Sequence, residues 1–267
     1  MDRQPVLFVS HGAPTFALSP GRAGAQLAAL GRRLPKPLAV VVVSPHWMPR
    51  DLAITASARP QTIHDFGGFP AGLYALQYPA PGAPALAERI AALLHSVGVE
   101  LRLDAERGLD HGVWVPLMHL FPGADVPVLQ ISLPRWFDEG AAWRLGEMLQ
   151  PLREDGVLLI GSGSLTHNLY EVRMGDDEAE ELYAREFVAW ARQAVCAHDQ
   201  AALVDYLRVA PHASRAHPTA EHYLPLLIAA AAGGPDATVD VLEGGILYGV
   251  LSMESYGFDL PPPAGQS

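Results

Sequence analysis

The sequence predicts an α/β fold, in which a single domain is built on a mainly parallel central sheet flanked by helices. Short aliphatic runs bounded by loops alternate with longer segments whose apolar residues recur at helical spacing. The run at 38–43 is almost continuously aliphatic, which is typical of a parallel strand covered on both faces. The 267 residues fit one domain, which we place at 1–260, followed by a flexible proline-rich tail at 261–267.

The individual elements follow from the same periodicities. Strands are predicted at 6–10, 38–43, 52–56, 126–133, 157–161, 238–242 and 246–253. Helices are predicted at 21–33, 85–97, 141–152, 176–197 and 219–232. The stretch 61–84, rich in glycine, proline and aromatic residues, is predicted to be a loop.

The composition disfavours several classes of protein. The net charge is −11, Lys36 is the only lysine, and no basic stripe for nucleic acid is visible. One cysteine, Cys196, excludes an intrachain disulfide and a zinc site built on cysteine pairs. No apolar run approaches the roughly 20 residues of a membrane helix, and the first residues lack a secretory signal. We therefore expect a cytoplasmic protein that binds neither nucleic acid nor membrane.

Histidine is over-represented, with eleven residues, and four of them follow a pattern. His11, His46 and His167 lie in the loops that follow three predicted strands, and His222 falls in the first turn of a predicted helix. Ligands of open α/β sheets bind at the carboxyl ends of the strands, and imidazole is a common ligand of zinc and iron. The pattern predicts a metal site at this edge of the sheet; the alternative is that each histidine is an ordinary hydrogen-bonded loop residue.

Two further histidines have surroundings that suggest a function. His111 lies in a loop flanked by glycine, beside Asp110, an acid that could orient it for acid–base chemistry or substrate binding. His64 lies in an aromatic, glycine-rich loop that could form the wall of a pocket. The others are expected on helix surfaces or in loops: His95, His119, His198, His212 and His217.

Seven motifs, spread in order over most of the chain, together resemble those of a known family. They are residues 10–14 (SHGAP), 44–47 (SPHW), 62–70 (TIHDFGGFP), 78–82 (YPAPG), 110–114 (DHGVW), 161–169 (GSGSLTHNL) and 218–226 (PTAEHYLPL). The family is that of the class III extradiol aromatic ring-opening dioxygenases, and the resemblance is to its 4,5-DOPA extradiol dioxygenase branch. The resemblance implies that residues 1–260 form an extradiol dioxygenase-like catalytic domain.

The resemblance also implies a set of site residues. His11, His46 and His222 match the metal ligands, and His167 matches a histidine near the metal that is a fourth ligand in resting zinc forms and an acid–base in catalysis. His111 matches a second active-site histidine. One ion per chain is expected, either Fe(II) or Zn(II), because His222 stands where related enzymes carry a glutamate and a carboxylate-containing triad would favour iron.

The reaction implied is cleavage of a catechol, a small aromatic diol, by O2 to a ring-opened semialdehyde. DOPA-like, caffeate-like and protocatechuate-like compounds are all candidates. His64, Trp47 and Tyr223 are predicted to contact the substrate, and Phe66, Phe69, Tyr74 and Trp114 could complete an aromatic slot; ordinary core packing is the alternative for each. Two other functions stay open at this point: a zinc hydrolase that uses a histidine-bound hydroxide, and a non-catalytic relative of the fold.

Overall fold

A computed structural model describes residues 3–173 and 179–262. The strands are β1 Val6–Ser10, β2 Ala39–Val43, β3 Ala53–Thr55, β4 Arg102–Asp104, β5 Val128–Ile131, β6 Val157–Gly163, β7 Val239–Leu242, β8 Ile246–Leu247, β9 Leu251–Ser252 and β10 Ser255–Phe258. The α-helices are α1 Gly21–Arg33, α2 Ala71–Tyr74, α3 Pro84–Ser96, α4 His111–Leu120, α5 Glu139–Leu149, α6 Leu182–Cys196, α7 Gln200–Val204, α8 Tyr206–Val209, α9 Ala213–Ala216 and α10 Leu224–Gly233. Short 3-10 helices span Pro14–Ala17 and Gln150–Arg153.

Eight of these strands form one sheet in the order β4-β3-β5-β2-β6-β1-β10-β7. The four central strands, β5, β2, β6 and β1, are all parallel to one another. Towards the edges β3 runs antiparallel to β5, and β10 runs antiparallel to β1. The predicted α/β class with a mainly parallel central sheet is therefore confirmed.

The core lies on both faces of the sheet, as the aliphatic strands predict. All five residues of β2 are buried, and its side chains alternate between two apolar clusters. Val41 and Val43 point to the cluster that contains residues of α3, α5, α6 and α10, whereas Val40 and Val42 point to the cluster of α1 and α4. Helices thus cover both faces, which leaves the ends of the central strands as the accessible edge.

The short strand β4 and the helices α2 and α4, all in the first half of the chain, were not predicted, and α2 lies within the stretch predicted to be a loop. Gly112 and Pro116 are poor helix formers, and they made the start of α4 look like a loop. Eight of its ten residues are buried, so tertiary packing outweighs this intrinsic preference. His111 is consequently the first residue of a buried helix, and the prediction that it lies in a loop was wrong.

Two predicted helices begin later than expected. The helix predicted at 176–197 begins at Leu182, and the part of that prediction at 176–178 lies outside the described residues. The helix predicted from residue 219 begins at Leu224, so His222 lies in the turn before it rather than in its first turn.

The closing strands were predicted only in part. β7 forms where expected, but the strand predicted at 246–253 consists of two two-residue strands, β8 and β9, that pair with each other outside the main sheet. The closing strand that pairs with β1 on the side away from β6 is instead β10, which was not predicted. Most of the predicted tail, 263–267, lies outside the described residues. Across 3–173 and 179–262, every helix is too short or too polar to cross a membrane.

Candidate metal centre

Three of the histidines predicted to bind a metal come together at the carboxyl ends of the central strands. His11 directly follows β1, His46 lies in the loop after β2, and His222 lies just before α10. The ring centroids are 5.0 Å apart for His11 and His46, 5.1 Å for His46 and His222, and 5.5 Å for His11 and His222. Parallel strands end at the same edge of a sheet, which brings His11 and His46 together. The turn that carries His222 joins them because the His222 carbonyl accepts from the backbone N–H of Ser164, just after β6.

The hydrogen bonds of His11 determine which of its nitrogens carries the proton. Its Nδ1 lies 3.0 Å from Oγ of Ser162, on β6. The Ser162 hydroxyl donates its single proton to the carbonyl of Gly112, so it can only accept from His11. The Nδ1 of His11 is therefore protonated, and Nε2 carries a lone pair directed at Nε2 of His46, 3.1 Å away.

His222 and His46 also present Nδ1 to an acceptor. Nδ1 of His222 lies 3.3 Å from Oε1 of Glu221, a carboxylate that in turn accepts a hydrogen bond from the hydroxyl of Thr219. Nδ1 of His46 lies 3.7 Å from Oδ2 of Asp65. Metal-bound histidines commonly present the non-coordinating nitrogen to a carboxylate or another acceptor, because this fixes the tautomer and orients the ring.

The geometry of the three histidines fits a divalent ion. One nitrogen from each of His11, His46 and His222 lies within 4.8 Å of the others. Two nitrogens bound to one ion at about 2.1 Å are separated by about 3.0 Å at a right angle and about 3.4 Å at the tetrahedral angle. The 3.1 Å between the Nε2 atoms of His11 and His46 falls within that interval.

Burial keeps these imidazoles neutral, which is the form that binds a metal. Burial is the main cause that lowers the pKa of His11 and of His222 well below the usual value, and the neighbouring histidines lower it further. For His46, burial followed by the proximity of His111 lowers the pKa to about 3, although Asp65 acts in the opposite direction.

His111 lies beside this group and is held by Asp65. Its ring centroid is 4.0 Å from that of His46 and 5.5 Å from that of His11. Asp65 contacts it twice: Oδ1 accepts from the backbone N–H of His111 at 2.9 Å, and Oδ2 lies 2.9 Å from Nδ1. Burial opposes ionisation of Asp65, but the hydrogen bonds and charge of His111 outweigh it and lower the pKa of the carboxyl to about 2.

The predicted partner of His111 was Asp110, and that prediction was wrong. Asp110 is fully buried and turns away from the imidazole, accepting hydrogen bonds from Ser44 at 2.8 Å and from the side chain of Gln130. Arg107 also approaches it, at 3.4 Å. The residue that fills the role, Asp65, was missed because it is distant in sequence and lies in a stretch predicted only as loop.

His167 lies next to the three-histidine group without joining it. Its ring stacks on that of His222, with centroids 3.5 Å apart and planes inclined by 9°. It forms a separate close group with Glu221 and His222. Burial lowers the pKa of His167 to about 4, so it is neutral near pH 7 and able to accept a proton.

An aromatic cluster centred on Phe66 adjoins His111. The Phe66 ring meets His111 edge-to-face at 5.6 Å and contacts Tyr74 at 5.3 Å and Phe69 at 5.5 Å. His64 belongs to this cluster, 5.8 Å from Phe66, and its Nε2 lies 3.0 Å from the carbonyl of Leu76. The loop that carries these rings therefore forms a half-buried aromatic wall beside the metal centre.

The other two predicted substrate contacts are placed differently. Trp47 is buried next to His46, and the guanidinium of Arg107 lies 5.4 Å from its ring centroid. Tyr223 is fully buried, stacks on Tyr206 at 3.9 Å and donates its hydroxyl proton to a backbone carbonyl. Because the Tyr223 side chain is part of the core, we leave it out of the proposed site.

The remaining histidines lie outside the centre. His95 and His212 are exposed and pair with Glu100 and Glu186. His217, expected on a helix surface or in a loop, lies in the loop after α9 but is buried, and its Nε2 lies 2.9 Å from the carbonyl of Leu165. Its neighbours are aromatic rings of the core, which the sequence spacing did not reveal.

The fold and the site together define a class of protein, an α/β domain with three histidines that could hold a metal ion, flanked by two further imidazoles. A family described as the catalytic LigB subunit of aromatic ring-opening dioxygenase matches residues 7–259, and the chain belongs to this family. It is an extradiol ring-cleaving dioxygenase, an oxidoreductase, and the resemblance seen in the sequence is confirmed.

Individual relatives cover nearly the whole chain. The sequence is 40% identical to the 4,5-DOPA dioxygenase extradiol of Escherichia coli K12, over 95% of this chain and 94% of the relative. It is 37% identical to the 4,5-DOPA dioxygenase extradiol of Beta vulgaris, over 94% and 95%. The crystal structure of an uncharacterised protein from Escherichia coli K12 superposes with a TM-score of 0.79 at 33% identity, covering 96% of this chain and 99% of the other.

Proposed function

We propose that this dioxygenase holds one divalent non-haem ion on His11, His46 and His222 and opens the ring of a catechol with O2. Both oxygen atoms enter the product, a ring-opened semialdehyde. The observation that carries the proposal is the approach of three imidazole nitrogens to within 4.8 Å of one another, beside two further histidines that are not needed as ligands. The active ion is Fe(II), since zinc has no redox chemistry.

When bound, Fe(II) would supply the binding of both catechol oxygens and the activation of O2. The protein supplies geometry and proton transfer. His167, neutral and stacked on His222, accepts a proton from a catechol hydroxyl and later returns it to the cleaved oxygen. This role leaves His167 outside the ligand set, in agreement with its separate position.

His111 provides a second imidazole on the opposite flank. Its Nδ1 is engaged by Asp65, so its Nε2 is the atom available to the substrate. A lone pair at this position can accept a hydrogen bond from a catechol hydroxyl and so orient the ring. The two flanking histidines thus give the site one group to remove a proton and one to orient the substrate.

The substrate is an aromatic diol that packs against the wall formed by Phe66, Phe69 and Tyr74. Edge-to-face and offset contacts with aromatic rings are favourable by about 1 kcal/mol each beyond the burial of apolar surface. DOPA, caffeate and protocatechuate share the catechol ring and differ in the substituent that would meet this wall. His64 and Trp47 complete the proposed set of substrate contacts.

The test is an oxygen-uptake assay with iron-loaded protein. Protein reconstituted with Fe(II) without air is mixed with DOPA, caffeate or protocatechuate, and isotopically labelled O2 is then admitted. We expect one O2 consumed per catechol, a yellow product and both labelled atoms in it. Zinc-loaded protein should consume none.

Two variants, one at a proposed catalytic histidine and one control, accompany the oxygen-uptake assay. His167→Ala should lose roughly 100-fold or more of the rate while retaining one ion per chain, as expected for a proton-transfer residue. His95→Gln, at an exposed histidine away from the centre, should behave as wild type. Iron-loaded protein with one ion per chain that consumes no O2 with any of the three catechols would contradict the proposal.

A further inference from the structure

Among residues 3–173 and 179–262, Asp65 is the carboxylate that lies beside both His111 and a proposed metal ligand. Its Oδ2 lies 2.9 Å from Nδ1 of His111 and 3.7 Å from Nδ1 of His46. We propose that Asp65 is a positioning residue that fixes His111 in the tautomer with the proton on Nδ1 and thereby keeps Nε2 free to act on the substrate. The inference rests on the proposed function, because it assigns a purpose to the free Nε2.

The two N–H groups of His111 match the two acceptor oxygens of Asp65. His111 presents two N–H groups to Asp65, the backbone N–H and the ring Nδ1–H, and both contacts are 2.9 Å long. The backbone N–H is a donor in every protonation state. A carboxylate has an acceptor oxygen for each group, so it satisfies both donors at once and disfavours the tautomer that lacks the Nδ1 proton.

The loop that carries Asp65 is fastened to the residues around His111. Ile63 donates its backbone N–H to the carbonyl of Leu109 at 2.8 Å, and the indole N–H of Trp114 reaches the carbonyl of Ile63 at 2.9 Å. These bonds lie on either side of His111 in sequence. These hydrogen bonds attach the loop to the start of α4. They therefore keep the carboxylate of Asp65 next to the imidazole of His111.

The pair is shielded from solvent, which strengthens the preference. The side chain of His111 is 8% exposed and that of Asp65 is 18% exposed. Phe66, the next residue, covers the imidazole edge-to-face. Little water reaches the Nδ1–H of His111 to replace the carboxylate as acceptor. A buried N–H without an acceptor is costly, so the contact with Asp65 is favoured.

The substitution Asp65→Asn should change the tautomer of His111. The side chain introduced by Asp65→Asn has the same shape but only one acceptor oxygen. The backbone N–H of His111, which is a donor in every protonation state, occupies that oxygen. The amide NH2 then faces Nδ1 and requires a lone pair there, which moves the proton to Nε2. The same change at the aspartate of a serine-protease triad is known to impose the wrong tautomer at a cost of about 10⁴ in kcat.

The tautomer can be observed directly in the zinc-loaded full-length protein by NMR of isotope-labelled histidine. We expect wild-type His111 to carry its proton on Nδ1, Asp65→Asn to carry it on Nε2, and Asp65→Glu, which retains two acceptors, to keep the wild-type state. Asp125→Asn, an exposed carboxylate paired with Lys36, is the matched control and should leave His111 unchanged.

Kinetics of the iron-loaded enzyme then test the consequence. We expect Asp65→Asn to lower kcat roughly 100-fold or more, with KM and metal content within a few-fold of wild type, and Asp65→Glu to restore part of the rate. An Asp65→Asn protein whose His111 keeps the proton on Nδ1, or whose kcat is unchanged, would overturn the proposal. The NMR result requires no catechol, so it is independent of whether the proposed reaction itself is correct.

Discussion

Nε2 of His11 lies 3.1 Å from Nε2 of His46. The hydroxyl of Ser162 fixes the proton of His11 on Nδ1, and Nδ1 of His46 faces the carboxylate of Asp65. The 3.1 Å contact accommodates a proton that His46 donates from Nε2 to His11 or, when the His46 proton lies on Nδ1, a cation that both lone pairs face. The second arrangement is the one in which His11 and His46 bind a common metal ion.

The first prediction concerns the three proposed ligands. Single substitutions His11→Ala, His46→Ala and His222→Ala should each weaken zinc binding by roughly 100-fold or more, because each removes one of three protein ligands. Competition with a chromophoric chelator measures the affinity. His95→Gln should bind as wild type does, and an alanine variant at any of the three positions that retains full affinity would exclude that residue as a ligand.

The second prediction concerns the close approach of α4 to the centre. A Cβ added at Gly112 would lie 2.4 Å from Oγ of Ser44 and 3.0 Å from Cδ2 of His46. Gly112→Ala should therefore destabilise the protein by about 1–3 kcal/mol and weaken zinc binding, since the methyl group displaces the His46 ring. Denaturant unfolding and chelator competition measure the two effects.

Gly72 is the matched control for that experiment. A Cβ there meets only a methyl of Leu18, at an ordinary 3.8 Å, so Gly72→Ala should not destabilise the protein and should leave zinc affinity unchanged. Wild-type zinc affinity in Gly112→Ala would show that α4 does not set the position of His46.

The third prediction concerns the aromatic wall. Phe66→Ala removes the ring that meets His111 at 5.6 Å and supports Tyr74. We expect KM for the preferred catechol to rise by roughly tenfold, equivalent to about 1.4 kcal/mol of lost packing, with a smaller change in kcat. Trp136→Ala removes an exposed ring whose aromatic contact is with Phe137, outside the wall, and it should leave KM unchanged; an unaltered KM in Phe66→Ala would place the substrate elsewhere.

The fourth prediction concerns the pH dependence of stability and rests on His217. Burial lowers its pKa to about 4 in the folded protein, against about 6.5 for an unfolded histidine. Between these values the unfolded chain binds a proton that the folded protein does not, so the free energy of unfolding falls as the pH falls from about 6.5 to about 4. Protonation of His217 alone lowers the free energy of unfolding by about 3 kcal/mol between about pH 6.5 and about pH 4. Above about pH 6.5 it contributes no pH dependence.

Unfolding of wild type and His217→Gln at several pH values isolates that contribution. The variant lacks a titrating group, so its stability should fall less steeply over the same interval, whatever its stability at pH 7. Equal slopes for the two proteins would show that His217 takes up its proton without unfolding.

Much of the fold was predictable because its signals are local. The aliphatic runs at β1, β2 and β6 give both the strands and their burial, and they place His11 and His46 at strand ends. The helix α4 was not predictable in this way. Its glycine and proline contradict its structure locally, and only burial between the sheet and α1 explains why it forms.

The candidate site was likewise predictable only in part. The resemblance of motifs pointed to His11, His46, His167 and His222, and the structure brings them together. The partners that set their protonation were not predictable, because Ser162 and Asp65 act through contacts between distant segments. Asp110 was favoured as the partner of His111 only because it is adjacent in sequence, and the helix that begins at His111 turns its carboxylate away.

His11, His46 and His222 are proposed to share one ion, and a crystal structure of the iron- or zinc-loaded protein, with anomalous diffraction collected at both metal edges, would locate that ion. We expect a single anomalous peak about 2.0–2.2 Å from one nitrogen of each of these three residues. An ion bound elsewhere, or one that contacts fewer than two of the three imidazoles, would contradict it.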